Sequence, residues 1–447
     1  MNKPFRSRRS EGGSGRMSSR FSGAAAGWGK LREFEDRIFT EPNLQFYGFG
    51  VAWAWALFSG WLLFGGRLRS IDFCWIWVSG KLVNSGNPAL VYDPIAFTVA
   101  QNTFLGTNEC HFLHFSYPPT VLFFSFFVGL LPYTIAFAAW IVATIVLYLV
   151  AVYAIIPRPA AVILALTPMA VPVNVLFGHN GFLTAGLIGL SLVFVERRPW
   201  LSGILFGLLT YKPQFGVLFP LALLASRNWR TLCWATTSSL VISAAAAVAF
   251  GYQGWPSFSD LLWHRNSTLS PDGVELELQS IYGLLYWAGI STWLSWTVHL
   301  AVSIVIAIAV CAIWAQPISH SLKAAILSIG ALMVTPYVLR YDLCILSIPV
   351  AFLVKDGLSR GFLAGERMAI LICIAAFLLW LARMPIGSVI CVVLLSLIAR
   401  RIAAWRSDFL KTRQDESVGC ALSGAGSLAA GSGLWVNTAP VLQPPAD

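Results

Sequence analysis

Charge is what this sequence has least of. Charged residues fill 11% of its 447 positions, against roughly 25% in soluble domains, and 57% are hydrophobic. That balance excludes a soluble enzyme hung on one anchor and implies a polytopic membrane protein. Metal-ligand spacing is lacking too: the eight cysteines follow no such pattern, and most fall inside apolar runs. Met1–Glu41 lacks the compact basic start, apolar stretch and cleavage site of a signal peptide. Rich in Arg, Ser and Gly, residues 1–43 read as a disordered cytoplasmic tail. No internal repeat is visible, whereas a transporter built from paired broken helices is expected to show one. The net charge of +10 invites a nucleic-acid partner. The basic residues instead cluster in the tail and in short loops, as the positive-inside bias requires, so no nucleic acid is expected.

The apolar runs predict an all-α polytopic bundle over residues 44–404, with about twelve crossings and both termini cytoplasmic. Leu44–Phe64 runs outward and Tyr133–Ile155 inward. Pro119–Leu131 is too short to span and reads as re-entrant. Trp200–Ser226 is broken by Tyr211-Lys212-Pro213-Gln214 and flanked by Arg197, Arg198, Arg227 and Arg230. That pattern predicts a hairpin with both ends cytoplasmic and Lys212 at its tip, since broken backbone at membrane depth must line a cavity. One long tilted helix with a snorkelling lysine is the competing picture. Ile386–Ile398 closes the bundle, and residues 405–447 read as a second disordered cytoplasmic tail.

Two outer loops, 66–119 and 251–280, hold much of the remaining polarity. Asp72 lies between Ile71 and Phe73 and ahead of Trp75 and Trp77, where a carboxylate is costly to desolvate. Lys81, Asn84, Asn87, Tyr92, Asp93, His111, His114 and Tyr117 share this first loop, which is far longer than a simple connection needs. Asp72–Asn84 and Pro94–Leu105 read as short interfacial helices. Cys74 and Cys110 pair only if the loop faces an oxidising compartment. The second loop holds His264 and Arg265. With Gly178–Gly181 (GHNG), Lys212-Pro213-Gln214 and Thr335–Asp342 (TPYVLRYD), the polar groups gather on one side of a greasy bundle. Such an arrangement suits an enzyme that draws one substrate from the lipid and the other from outside.

The ordered set IDFCWIWVSGKLVNSGNPALVYD, YPP, GHNG, KPQ and PYVLRYD resembles the DUF2029 family, glycosyltransferase family 87 of the GT-C superfamily, over roughly Phe46–Arg400. The resemblance implies a multi-spanning helical bundle that takes a hexose from a polyprenyl-phosphate sugar on the extracytoplasmic face. It further implies a multi-pass protein of the plasma (inner) membrane with its active site towards the periplasm or cell exterior. The family's key carboxylate is an aspartate in the first outer loop, and Asp72 occupies that place. His179 stands where the family commonly has glutamine, and there is no Asp-X-Asp pair, which leaves metal use and acceptor identity open.

The chemistry sorts the candidates. Sugar transfer needs a base for the acceptor hydroxyl, assigned to Asp72. It needs cations where the leaving phosphate gathers charge, for which Lys212, Arg265 and Arg340 are the candidates. Arg340 has a competing partner in Asp342. His179, Asn180, His264, Gln214, Tyr117, Tyr341 and Asp342 complete the candidate donor site. No cofactor is expected beyond the polyprenyl-phosphate sugar, which serves as donor substrate; no residue is assigned to a metal, and metal use stays open. The expected partners are the bilayer, that donor, with mannose the expected hexose, and a glycan or glycolipid acceptor. A non-enzymatic lipid or sugar-lipid transporter is the alternative function, and a scaffold indifferent to these polar residues a third.

Overall fold

The computed structural model describes residues 29–64, 73–106, 115–267, 277–376 and 384–427, with the backbone alone at 63, 261–267 and 408–427. Those residues are helical and contain no strand. The chain divides into a unit Met1–Ile398 and a second unit from Ala399. Asp72, the central candidate, lies outside the described residues, as do His111, His114, Cys110 and Asp272.

Helices α1 (29–38) and α2 (Glu41–Phe64) open the described chain. The tail expected over 1–43 is therefore helical in its last third. Glu35 gives the reason: this buried carboxylate accepts the Met368 amide at 3.0 Å and the Gly365 amide at 3.3 Å. Those donors lie at the start of α18 (Glu366–Ala376), where a helix leaves its first amides unpaired and favours negative charge. Arg367 pairs with Asp36 at 2.6 Å beside it.

Helix α3 (Phe73–Asn84) buries its residues Phe73–Gly80. It packs against α5 (Leu122–Gly129), where Ser79 and Ser125 hydroxyls meet at 2.9 Å. A Cβ on Gly80 would stand 2.0 Å from the Ser125 carbonyl oxygen, so only glycine allows this approach. Helix α4 (Pro94–Leu105) starts at Asp93, whose carboxylate accepts the Ile95 and Ala96 amides at 2.9 and 3.0 Å. Asp93 is thus a helix cap.

Next come α6 (Tyr133–Ile155), the pair α7 (Pro159–Ala165) and α8 (Ala170–Phe177), and α9 (Gly181–Phe194). The pair is bent by 65°. Leu147 faces Gly186 and Ala151 faces Gly189, so α6 and α9 run parallel. One end of the bundle therefore carries Gly178–Gly181 and the other Arg198.

The run from Trp200 resolves into α10 (Pro199–Leu208), a break at Lys212, α11 (Leu218–Ala225) and then α12 (Trp229–Phe250). Gly203 meets Trp234 and Gly207 meets Ser238, so α10 and α12 also run parallel. Asn228 and Thr231, which follow α11, both bond the Val195 carbonyl, which precedes α10, at 3.4 Å. The two ends of the run thus sit together at the Arg198 end, and the chain turns back at Lys212 as a hairpin. Extending the α10–α12 register sets residue 212 near residue 243, seven residues short of the end of α12, or roughly 10 Å into the bundle.

Helices α13 (Gly254–Ser267), α14 (Ile281–Trp287), α15 (Thr292–Trp314), α16 (His320–Met333), α17 (Ser347–Arg360), α18 and α19 (Ile386–Ser427) complete the order. A 3-10 segment, Arg340–Leu346, leads into α17. Helix α19 continues through residues 405–427, where the sequence suggests a structureless tail; that stretch has no proline to stop it. Tyr133–Ile155, Trp229–Phe250, Thr292–Trp314 and Ile386–Ser407 are long and apolar enough to cross a bilayer, and the bent pair makes a fifth if it is one span. Against the expected twelve or so, Gly181–Phe194, Pro199–Tyr211, Pro213–Ala225 and His320–Met333 are apolar but shorter.

Candidate active site

Lys212 sits at the hairpin break and is buried by its neighbours. Its ammonium donates to Asp342 Oδ1 at 2.6 Å, and the side chains are 3% and 2% exposed. The other carboxylate oxygen, Oδ2, accepts the Leu339 amide at 3.1 Å. Burial pushes the Asp342 carboxyl above its ordinary range, while the Lys212 charge and these hydrogen bonds pull it back in part. The ammonium also lies 4.6 Å from the centroid of the Tyr341 ring. Arg340 does not compete for Asp342: it reaches Glu277 at 3.4 Å, and Glu277 is half-exposed.

Tyr341 joins the ion pair to the GHNG turn. Its ring stacks on His179 with centroids 3.9 Å apart and planes 20° from parallel. Desolvation, then the Lys212 charge, lower the His179 imidazole to about 3. A neutral ring beside a lysine follows from both causes. The turn itself is shaped by Asn174. Its carbonyl accepts the Gly178 and His179 amides at 3.0 and 3.2 Å. Its side-chain oxygen accepts the Gly181 amide at 2.8 Å, and its amide donates to the Tyr341 carbonyl at 2.9 Å. One buried asparagine thus links GHNG to PYVLRYD.

Asn180 carries the network towards the first loop. Its amide donates to the Tyr117 hydroxyl at 3.0 Å. The Tyr117 ring stacks on Trp75 of α3 at 4.3 Å, with planes 12° apart. On the same helix Phe73, the residue that follows Asp72, packs on Gly178: a Cβ there would stand 2.6 Å from Phe73 Cβ. Gly178 has φ of 70°, a second reason for glycine at this position.

Lys212, Tyr341, Asp342, His179, Asn180 and Tyr117 therefore form one connected cluster. Gln214 flanks it, its carbonyl accepting the Thr335 hydroxyl at 3.1 Å. Arg340 lies one residue along the chain but turns to Glu277. His264 and Arg265 fall on α13, and their side chains, like Asp72, lie outside the described residues. Cys74 is buried, with its sulfur 3.8 Å from the Tyr133 hydroxyl. Among the described residues no three His, Cys, Asp or Glu side chains converge as a metal site would need. Asn174 was missed in the sequence, although a lone asparagine in AVPVNVLF is the kind of polar intrusion that marks a function or a buried link.

Residues 115–336 match the model of glycosyltransferase family 87. That segment is similar to glycosyltransferase family 87. The chain's apolar helices point to a multi-pass membrane protein. No curated protein and no solved structure matches it. The family 87 region includes Tyr117, the GHNG turn and Lys212, and it ends just before Arg340, Tyr341 and Asp342. Asp72 precedes it. The contacts of Lys212 with Asp342, and of Gly178 with Phe73, tie both flanking segments to the matched core.

Proposed function

We propose that this chain has a GT-C-type bundle and transfers a hexosyl group, mannosyl by expectation, from a polyprenyl-phosphate sugar to a glycan or glycolipid hydroxyl on the extracytoplasmic side of the plasma membrane. Asp72 takes the proton of the acceptor hydroxyl. That oxygen attacks the anomeric carbon, the bond from that carbon to the phosphate oxygen breaks, and the lipid phosphate leaves with the electron pair. Lys212 and Arg340 counter the charge that gathers on the phosphate. Each is held by a carboxylate, Asp342 and Glu277 respectively, which a bound phosphate would have to displace or share.

The observation that supports this reading best is the seat of Phe73 on Gly178. It anchors the chain neighbour of Asp72 to the turn that Asn174 connects to Tyr341, next to the Lys212–Asp342 pair. On this reading the proposed base and the proposed phosphate-binding cation act at the same end of the bundle. The test is to incubate purified protein in lipid nanodiscs with labelled polyprenyl-phosphate mannose and candidate acceptors. Labelled glycan or glycolipid is the expected product. Binding of the donor with no transfer to any acceptor would favour a sugar-lipid transporter instead.

A further inference from the structure

Beside the ion pair lies a group of polar atoms that the proposed chemistry leaves unused. Asn180 is 2% exposed, and its buried side-chain oxygen, Oδ1, has no hydrogen-bond partner among the described residues. Were the amide turned over, its nitrogen would be the unpartnered atom, so one end is unsatisfied in either orientation. The buried hydroxyls of Thr120 and Thr210 are likewise without partners. Thr120 follows Tyr117-Pro118-Pro119 and Thr210 precedes Tyr211-Lys212, and the segments Pro119–Val121 and Leu209–Tyr211 that carry them pack together. Tyr117 accepts from the Asn180 amide at 3.0 Å, and the Tyr211 hydroxyl reaches the Asn180 carbonyl at 3.4 Å. Tyr211 in turn lies within electrostatic reach of Tyr117 and Asp342.

An unmet buried polar atom costs about 1–3 kcal/mol, and native proteins rarely leave one without a water or ligand. Here the unmet atoms are uncharged and carry the hydrogen-bonding pattern of an alcohol. Thr210 stands two residues before Lys212, the cation proposed for the phosphate. Tyr117, which accepts from the Asn180 amide, is only partly buried, and its ring stacks flat on Trp75.

We infer that Asn180 is the specificity determinant of the donor site: its side-chain oxygen accepts a hydroxyl of the transferred sugar, with the Thr120 and Thr210 hydroxyls completing a neutral alcohol-binding subsite. This rests on the glycosyl-transfer reading. A site built to bond a hydroxyl rejects the analogue that lacks it, because its own polar atom is then stranded.

The test measures binding, so it needs no acceptor. Full-length protein in nanodiscs is titrated with farnesyl-phosphate mannose and with its 2-, 3-, 4- and 6-deoxy analogues, for the native chain, Asn180→Ala and Asn180→Asp. One deoxy analogue should bind about 10-fold to 100-fold more weakly than the parent sugar to the native chain. Asn180→Ala should weaken the parent by a similar factor and show no further loss with that analogue. Asn180→Asp, which keeps an acceptor oxygen, should preserve the discrimination, and thermal melting checks that both variants fold. If every analogue loses the same factor in Asn180→Ala as in the native chain, Asn180 does not read a sugar hydroxyl and the unmet atoms hold water. If farnesyl-phosphate glucose and mannose both fail to bind the native chain, the donor reading fails together with this subsite.

Discussion

Lys212 Nζ and Asp342 Oδ1 lie 2.6 Å apart across 130 residues of sequence, in a buried contact. Removing one partner strands the other charge inside the protein. Lys212→Met or Asp342→Leu should each cost about 3–5 kcal/mol, while the double variant recovers most of that loss. Thermal unfolding of the three variants in one detergent checks it. Equal, additive losses would show that the two groups are not coupled. Donor binding should fail in the double variant even where stability returns, since the phosphate-binding cation is gone.

Asn174 supports the second prediction. Asn174→Leu keeps the volume but removes the acceptor for Gly181 and the donor for Tyr341, links of 2.8 and 2.9 Å. At about 1 kcal/mol per net hydrogen bond, with a further penalty for groups left unpaired, a loss of roughly 2–4 kcal/mol is expected. Hydrogen exchange should then rise at both Gly181 and Tyr341. A rise at one site alone would contradict the idea that this residue joins the two turns.

How far this was legible in the sequence depends on the kind of interaction. The hairpin break could be read, because Lys212 and Pro213 interrupt an apolar run where membrane-depth backbone must find partners. The pairing of Lys212 with Asp342 could not: it is a contact between distant positions, and Arg340 offered an equally plausible partner. The burial of helix α3 could not be read, because Ser79, Gly80 and Lys81 dilute its apolar face. Its burial depends on the close approach of Gly80 to Gly129, and two glycines give no hint of each other. The helical end of the N-terminal tail escaped notice because Glu35 acts through amides more than 300 residues away.

The lowered pKa of His179 leads to a third expectation. The imidazole ionises near 6.5 in an unfolded chain and only near about 3 in the folded one. Above pH 6.5 both states are neutral and nothing changes. As pH falls from 6.5 towards 3 the unfolded state binds a proton that the folded state refuses, so stability is lost across that window. Melting temperatures at pH 7 and pH 5 should therefore differ more for the native chain than for His179→Gln, which cannot titrate. An identical drop in both would place the acid sensitivity elsewhere.

The account stands or falls on Asp72. A base must be ionised to accept the proton of an acceptor hydroxyl, and Asp72→Asn keeps the shape of the side chain while removing that capacity. Asp72→Glu should also be poor, because an error of about an ångström in the base can cost around a hundredfold. The most direct measurement is single-turnover transfer from polyprenyl-phosphate mannose by the native chain and Asp72→Asn, with melting temperature and donor affinity as controls. The expected result is unchanged stability and donor binding with transfer reduced to background. Substantial transfer by a stable Asp72→Asn variant would contradict it and take Asp72 out of the mechanism.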